Sequence, residues 1–457
     1  MARVVRRLDT LRRFFAEQRK RQGLRHAISA SWSQFVGPYV QSRMQWLKRK
    51  IIRIAPLRKL RPSKSRLATA VAAQGLRPGA LFIGYAEGAL GLGQAFRANL
   101  DGAEAAGFPF AVYPFQKGIE TRLIAPYMQH RYDKDHPYKV NVIQVAPDFV
   151  PEVFKTLRRE LTAQSYNILC TYWELAKAPK EWREHLANID EIWAPNQFIA
   201  DAFAHIFAGP IVIMPPAMED TGGEHPGRAY FGLEEGRFYF MFSFDYYSSP
   251  FRKNPLGVLE AFQRAFPRGD ENVGLVIKST GAPDHYPDMK AVIAEAMARD
   301  PRIVSFDRNM PREEVLGLIR ASDSYVSLHR AEGFGLGMAE AMTFGRIVIG
   351  TGYSGSADFL TDETGYPVPY NLRPLEAHEY PWSRGQYWAE PDQDAAVEIM
   401  RQAVANPVEG KQRGERAREY VLHRYNPAAV GESMRKRLDV LLATGEAGEM
   451  PGEHGTR

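Results

Sequence analysis

The stretch SLHRAEGFGLGMAEAMTFGRIVIGTGYSGSADFL (residues 327–360) decides how the rest of the chain is read. A β-type run ends at Leu328 and gives way to a loop carrying Glu332, Gly333, Phe334 and Gly335. A helix is expected from Leu336, with Gly337 and Glu340 in its first turns. Glycines let backbone approach a ligand closely. A helix N-terminus presents free N–H donors and a positive dipole end, which favours phosphate. Carboxylates are acceptors for paired hydroxyls. Glu332 and the backbone of Phe334, Gly335 and Leu336 therefore suit a sugar, and Glu340 suits a ribose. His329 and Arg330, beside this loop, are expected to line the same pocket.

Outward from this segment, short β-type runs alternate with helical ones. ALFIGYA (80–86), FAVYPF (110–115), KVNVIQVA (139–146), YNILCTY (166–172), EIWAP (191–195) and PIVIMPP (210–216) form one series. The polar, glycine-rich EDTGGEHPGRAYFG (219–232) reads as a linker. The alternation then restarts with FYFMFSF (238–244), GLVIKS (274–279), RIVSF (302–306), SYVSL (324–328) and RIVIGT (346–351). Strands joined by helices of this length imply parallel sheets with crossovers. The expected division is a basic extension over 1–75, an acceptor-side Rossmann-like domain over 76–225 and a donor domain over 226–425. A helix over 426–445 should pack back on the first domain, and 446–457 should be disordered. Ligands of such sheets bind beyond the carboxyl ends of the strands, so site residues belong on loops just after strands.

HRAEGFGLGMAEAM, with its continuation GTGYSGSADF, resembles glycosyltransferase family 4, retaining enzymes of the GT-B fold. The resemblance covers most of 80–440 and is strongest in the second half. It implies an α/β fold of two Rossmann-like domains facing across a cleft. It also implies a nucleotide-sugar donor, retention at the sugar's anomeric carbon and no metal or other cofactor. By the same resemblance Lys253, in FSFDYYSSPFRKNPLGVLEAF (242–262), sits on the donor's diphosphate with Arg252 as its helper. Most family members carry an arginine about six residues before that lysine, after a glycine; here the stretch reads FSFDYY. Lys278 ends the next β-run and is a further candidate for donor binding. Fixed cations aimed at a leaving diphosphate lower the barrier to its departure.

GYAEGALGLGQAFRANL (84–100) places Gly91 and Gly93 between a strand and a helix. The spacing is not the dinucleotide fingerprint. In the resembling family this loop approaches the diphosphate or acceptor, and Gly91 and Gly93 take that role here. Glu174, in YWELAKAPKEW, and Asp148, in VAPDF, follow strands and are acceptor-side candidates; Trp173 suits either a sugar face or the core. The implied reaction moves a hexose to a glycan or lipid-linked acceptor in cell-surface polysaccharide synthesis. The alternatives are another GT-B sugar enzyme, an epimerase or phosphorylase, or a non-catalytic glycan- or polyanion-binding protein.

Charge is divided unevenly. Residues 1–66 hold 19 Lys and Arg against two acids, a net +17, whereas the remainder carries −11. With apolar residues such as Val4, Leu8, Leu11 and Phe15 at roughly helical spacing, this arm suits an anionic membrane surface better than nucleic acid. No run of about 20 apolar residues and no signal peptide is evident, so a cytoplasmic protein at the inner membrane face is expected. One cysteine, Cys170, excludes a disulfide within the chain and a four-cysteine zinc site. The triplets DKD (133–135) and DQD (392–394) do not follow β-runs as metal-binding DxD motifs do, so no metal site is assigned.

Overall fold

The computed structural model describes residues 75–444, except 221 and 282–285, together with residues 70 and 73. All of them belong to one compact unit, Pro62–Arg457. The expected membrane-docking arm and disordered tail lie outside the described residues. Among the described residues, no helix is long and apolar enough to cross a membrane.

Every β-run read from the sequence forms a strand. The first sheet comprises β1 (Arg77–Gly84), β2 (Phe110–Pro114), β3 (Tyr138–Gln144), β4 (Tyr166–Cys170), β5 (Glu191–Ala194) and β6 (Ile211–Ile213). Its order is β2-β1-β3-β4-β5-β6, with every neighbouring pair parallel. The second comprises β7 (Phe238–Asp245), β8 (Val273–Thr280), β9 (Ile303–Asp307), β10 (Ser324–Ser327), β11 (Ile347–Thr351) and β12 (Tyr366–Val368). Its order is β12-β11-β10-β7-β8-β9, again all parallel. Apolar runs such as Leu81–Ile83 and Phe240–Phe242 are buried because helices cover both sheet faces. Order reverses between β1 and β3 in the first sheet and between β7 and β10 in the second. These switch points open crevices at the carboxyl ends of the strands.

An antiparallel hairpin of β13 (Tyr370–Pro374) and β14 (Tyr387–Pro391) was not foreseen. Arg373 and Arg330 both lie over the buried Trp388 ring and both bond Glu390. Its loop carries Tyr380 and Trp382.

The final helix, Pro427–Thr444, lies along the helix Gly91–Ala106. A methyl group at Gly431 would stand 2.1 Å from the Gly102 carbonyl oxygen, so glycine is what permits this approach. Lower on the same helix, Arg437 bonds Glu191 of β5 at 2.6 and 3.0 Å, and both side chains are almost wholly buried. Tyr166 and Trp193 donate to the same carboxylate. Removing one partner of a buried pair leaves an uncompensated charge. Arg437→Met is therefore expected to destabilise the protein by about 3–5 kcal/mol in urea unfolding, with the double variant Arg437→Met/Glu191→Gln recovering much of the loss.

Candidate active site

The loop after β7 folds back as a single short turn, Pro250–Lys253, flanked by two residues with left-handed backbone: Ser249 (φ 54°) and Asn254 (φ 56°). Such conformations in residues other than glycine cost energy and cluster where structure serves function. The turn is held from several sides. The Asn254 side-chain amide donates to the carbonyl of Leu328, at the end of β10 (2.9 Å). The Arg330 backbone N–H donates to the Arg252 carbonyl (2.8 Å), and the Ser249 hydroxyl donates to the Glu379 carbonyl (2.8 Å).

This architecture brings Glu332 between two cations. Lys253 Nζ lies 2.5 Å from Oε1 and an Arg252 guanidinium nitrogen 3.0 Å from Oε2. The loop after β11 also grips Glu332: the Glu332 N–H donates to the Ser354 hydroxyl (2.8 Å), and its carbonyl accepts from the Gly355 N–H (3.0 Å). Arg252 is buried, and its guanidinium also donates to the carbonyls of Ala331 and Ser248 and to the Ser248 hydroxyl. Its two terminal nitrogens are thus engaged within the loops. These bonds make it a clamp on Glu332.

Burial raises the Glu332 carboxyl pKa, but Lys253 and then Arg252 outweigh it and pull the value down to about 2. Burial lowers Lys253, with Arg252 adding to the effect against the pull of Glu332. Although burial opposes it, the carboxylates of Glu332 and Glu174 hold Arg252 above its usual range. His329 is fully buried, Nε2 sharing a hydrogen bond with the Ser356 hydroxyl at 3.0 Å. Burial, reinforced by the two cations, lowers it to about 4, so it is neutral at physiological pH.

From the first domain, Glu174 approaches to 3.8 Å from Arg252 and accepts a 2.6 Å bond from the Tyr380 hydroxyl. Asn196, which caps the helix Gln197–Ala204, donates to the Gly333 carbonyl (2.6 Å). The opposed strand ends therefore do meet, with Glu332, Lys253, Arg252 and Glu174 in one cluster.

Other candidates stand differently. Glu340 is buried and pairs with Arg312 at 2.8 Å. The Phe334 ring packs on Phe359 and Tyr425 in the core, so only its backbone remains for a ligand. Gly335 has φ 97° and forms the N-cap of the helix Leu336–Thr343. Gly91 begins its helix in open space, whereas a methyl at Gly93 would meet the Gly88 carbonyl at 2.3 Å; Gly93 thus serves the loop's own packing. Lys278 lies on β8 near Asp245, and no ion pair among the described residues links it to Glu332. Asp148 accepts from the Trp182 indole at 2.9 Å. Trp173 is core, edge-on to Trp182. Tyr380 escaped sequence reasoning because nothing local marks a tyrosine whose partner lies 206 residues earlier.

Residues 248–420 match the family model "Glycosyl transferases group 1". No curated protein matches the sequence. Among solved structures, the chain is similar to Anabaena Alr3699/HepE in complex with UDP and glucose, at 12% identity and TM-score 0.57 over 79% of this chain and 99% of that one. It is likewise similar to sucrose-phosphate synthase from Thermosynechococcus elongatus, at 15% identity and TM-score 0.56 over 79% and 98%. A glycosyltransferase from Rickettsia africae ESF-5 gives 14% and 0.56 over 81% and 99%. The chain spans 55% of the length of an S. aureus TarM chain at TM-score 0.48. The likenesses to HepE, the sucrose-phosphate synthase and the Rickettsia glycosyltransferase show the fold, GT-B, with two Rossmann-like domains.

Both buried groups hold fewer protons folded than unfolded, so acid destabilises the protein. His329 acts as pH falls from about 6.5 to about 4, and Glu332 from about 4.5 to about 2. In urea titrations, His329→Asn should flatten the loss of stability over the upper window while leaving the lower one in place.

Proposed function

We propose that the protein is a retaining glycosyltransferase that moves a hexose from a nucleotide sugar to a glycan or lipid-linked acceptor without a metal ion. One observation carries the reading: Lys253 and Glu332, from the two loops flanking the switch point of the second sheet, meet with Glu174 of the first domain. The family of the 248–420 segment and the nucleotide-bound HepE of like fold support the same donor class.

In this reading Lys253 stands at the leaving diphosphate and Glu332 at the sugar's hydroxyls. Glu340 holds the ribose, and Glu174 and Asp148 face the acceptor. The bond from the anomeric carbon to the phosphate oxygen breaks while the acceptor hydroxyl oxygen bonds that carbon on the same face. The hydroxyl proton passes to the departing phosphate oxygen. No strong side-chain base is needed, which accords with a neutral His329 and an ionised, cation-bound Glu332. Arg252 acts indirectly by fixing Glu332. A place in cell-surface polysaccharide synthesis at the inner membrane face, through the basic residues 1–66, belongs to the same proposal.

The test is turnover of a panel of nucleotide sugars with product stereochemistry read by NMR. Lys253→Ala should lower kcat/KM by about 10²–10³, the range for losing one donor aimed at developing charge. Glu332→Gln should lower it comparably, and chelators should leave the rate unchanged. Turnover unaffected by Lys253→Ala, or an inverted product, would refute the assignment.

A further inference from the structure

A departing diphosphate carries more than one negative charge, and the loop cluster offers it little free cation. The terminal nitrogens of Arg252 are bonded within the loops, and Lys253 is shared with Glu332. Across the cleft, however, the first domain presents Arg122.

Arg122 is firmly mounted. Its backbone carbonyl accepts from the Ala89 N–H (2.8 Å), and its guanidinium donates to the Ala89 carbonyl (3.0 Å). Gly88 and Leu123 form an antiparallel bridge beside it. The residue is thereby attached to the glycine-rich loop after β1. Its guanidinium reaches the second domain, where it pairs with Asp245, the last residue of β7, and lies 5.0 Å over the Tyr247 ring. Tyr247 immediately precedes Ser248, whose carbonyl and hydroxyl hold Arg252. The same ring presses on Gly281, where a methyl group would come within 2.6 Å. Arg122 and Tyr247 thus border a cavity of about 290 Å³ that Lys290, Asp307 and Asn309 also line. Both members of the pair keep about a fifth of their side-chain exposure.

We propose that Arg122 is a ligand of the donor's phosphates, supplied by the first domain, exchanging Asp245 for a phosphate oxygen when a nucleoside diphosphate fills the cleft. This rests on the glycosyltransferase reading above and deepens it. A guanidinium presents a planar fork that matches phosphate geometry and binds it by charge-assisted bonds. Asp245 keeps its bond from the Tyr247 N–H (2.9 Å) after the exchange. Lys278, which already feels the fields of Asp245 and Arg122, remains nearby to balance the carboxylate.

The experiment is calorimetric titration of the full chain with UDP, GDP and ADP and with the matching nucleosides. Arg122→Ala should weaken the preferred diphosphate about 10- to 100-fold, the span for a hydrogen bond to a charged group, and leave the nucleoside unchanged. Arg122→Lys should fall between, because it keeps the charge and loses the fork. Asp245→Asn should leave diphosphate binding equal or tighter. Equal weakening by Arg122→Ala and Asp245→Asn would show a mere latch between domains and overturn the proposal. So would diphosphate binding that falls with Lys253→Ala and not with Arg122→Ala. A wild-type protein that binds none of the three diphosphates defeats the donor reading itself, and the Arg122 proposal with it.

Discussion

The site depends on one arrangement: a single buried carboxylate, Glu332, between Lys253 and Arg252. A buried charge is costly unless it is paired and hydrogen-bonded. Here the cations come from the loop after β7 and the anion from the loop after β10, so neither loop can settle without the other. The left-handed residues Ser249 and Asn254 are held in place by the same closure. Because two positive groups face one negative group, Glu332 remains ionised far into acid. His329, beside them, stays uncharged chiefly because it is buried, with the two cations adding to the effect. Burial and charge balance together thus fix both geometry and protonation.

The hairpin extends this constraint across the molecule. Arg330 and Arg373 share Glu390, and Arg373 also forks onto Glu379. That stiff, charge-laced ribbon carries Tyr380 and Trp382 to the first domain, where they meet Glu174 and the pair Trp173 and Trp182. Two sheets that fold around separate cores are in this way joined near the Glu332 cluster by aromatic rings. Arg122 with Asp245 and Asn196 with Gly333 make the corresponding joins elsewhere along the cleft.

Much of this was legible in the residues. Parallel buried strands announce themselves as unbroken apolar runs, and all eleven such runs became strands. The glycine loop with Glu332 could be read because strand, loop and helix follow one another locally. Elements held by long-range charge were not legible. The first hairpin strand, YNLRP, is mostly exposed and ends in proline, so no buried apolar run marks it. The helix Pro407–Arg424 is so rich in charge that it lacks a strong apolar stripe, yet Gly414 packs against the Gly345 carbonyl. The clamping role of Arg252 was hidden too. Its partners at Ala331 and Glu332 lie about 80 residues away, and sequence shows a cation without showing whether its nitrogens are already engaged.

The last helix has a bearing on how the protein is made. Glu191 sits in the fifth strand of the first sheet, and its counter-ion, Arg437, arrives 246 residues later. A ribosome releases that arginine only after the entire second domain has been synthesised. Until then the growing first domain holds a carboxylate without its guanidinium and an uncovered face along Gly91–Ala106. Its maturation is therefore tied to completion of the polypeptide, and a truncated product lacking the final turns leaves the first domain half-assembled.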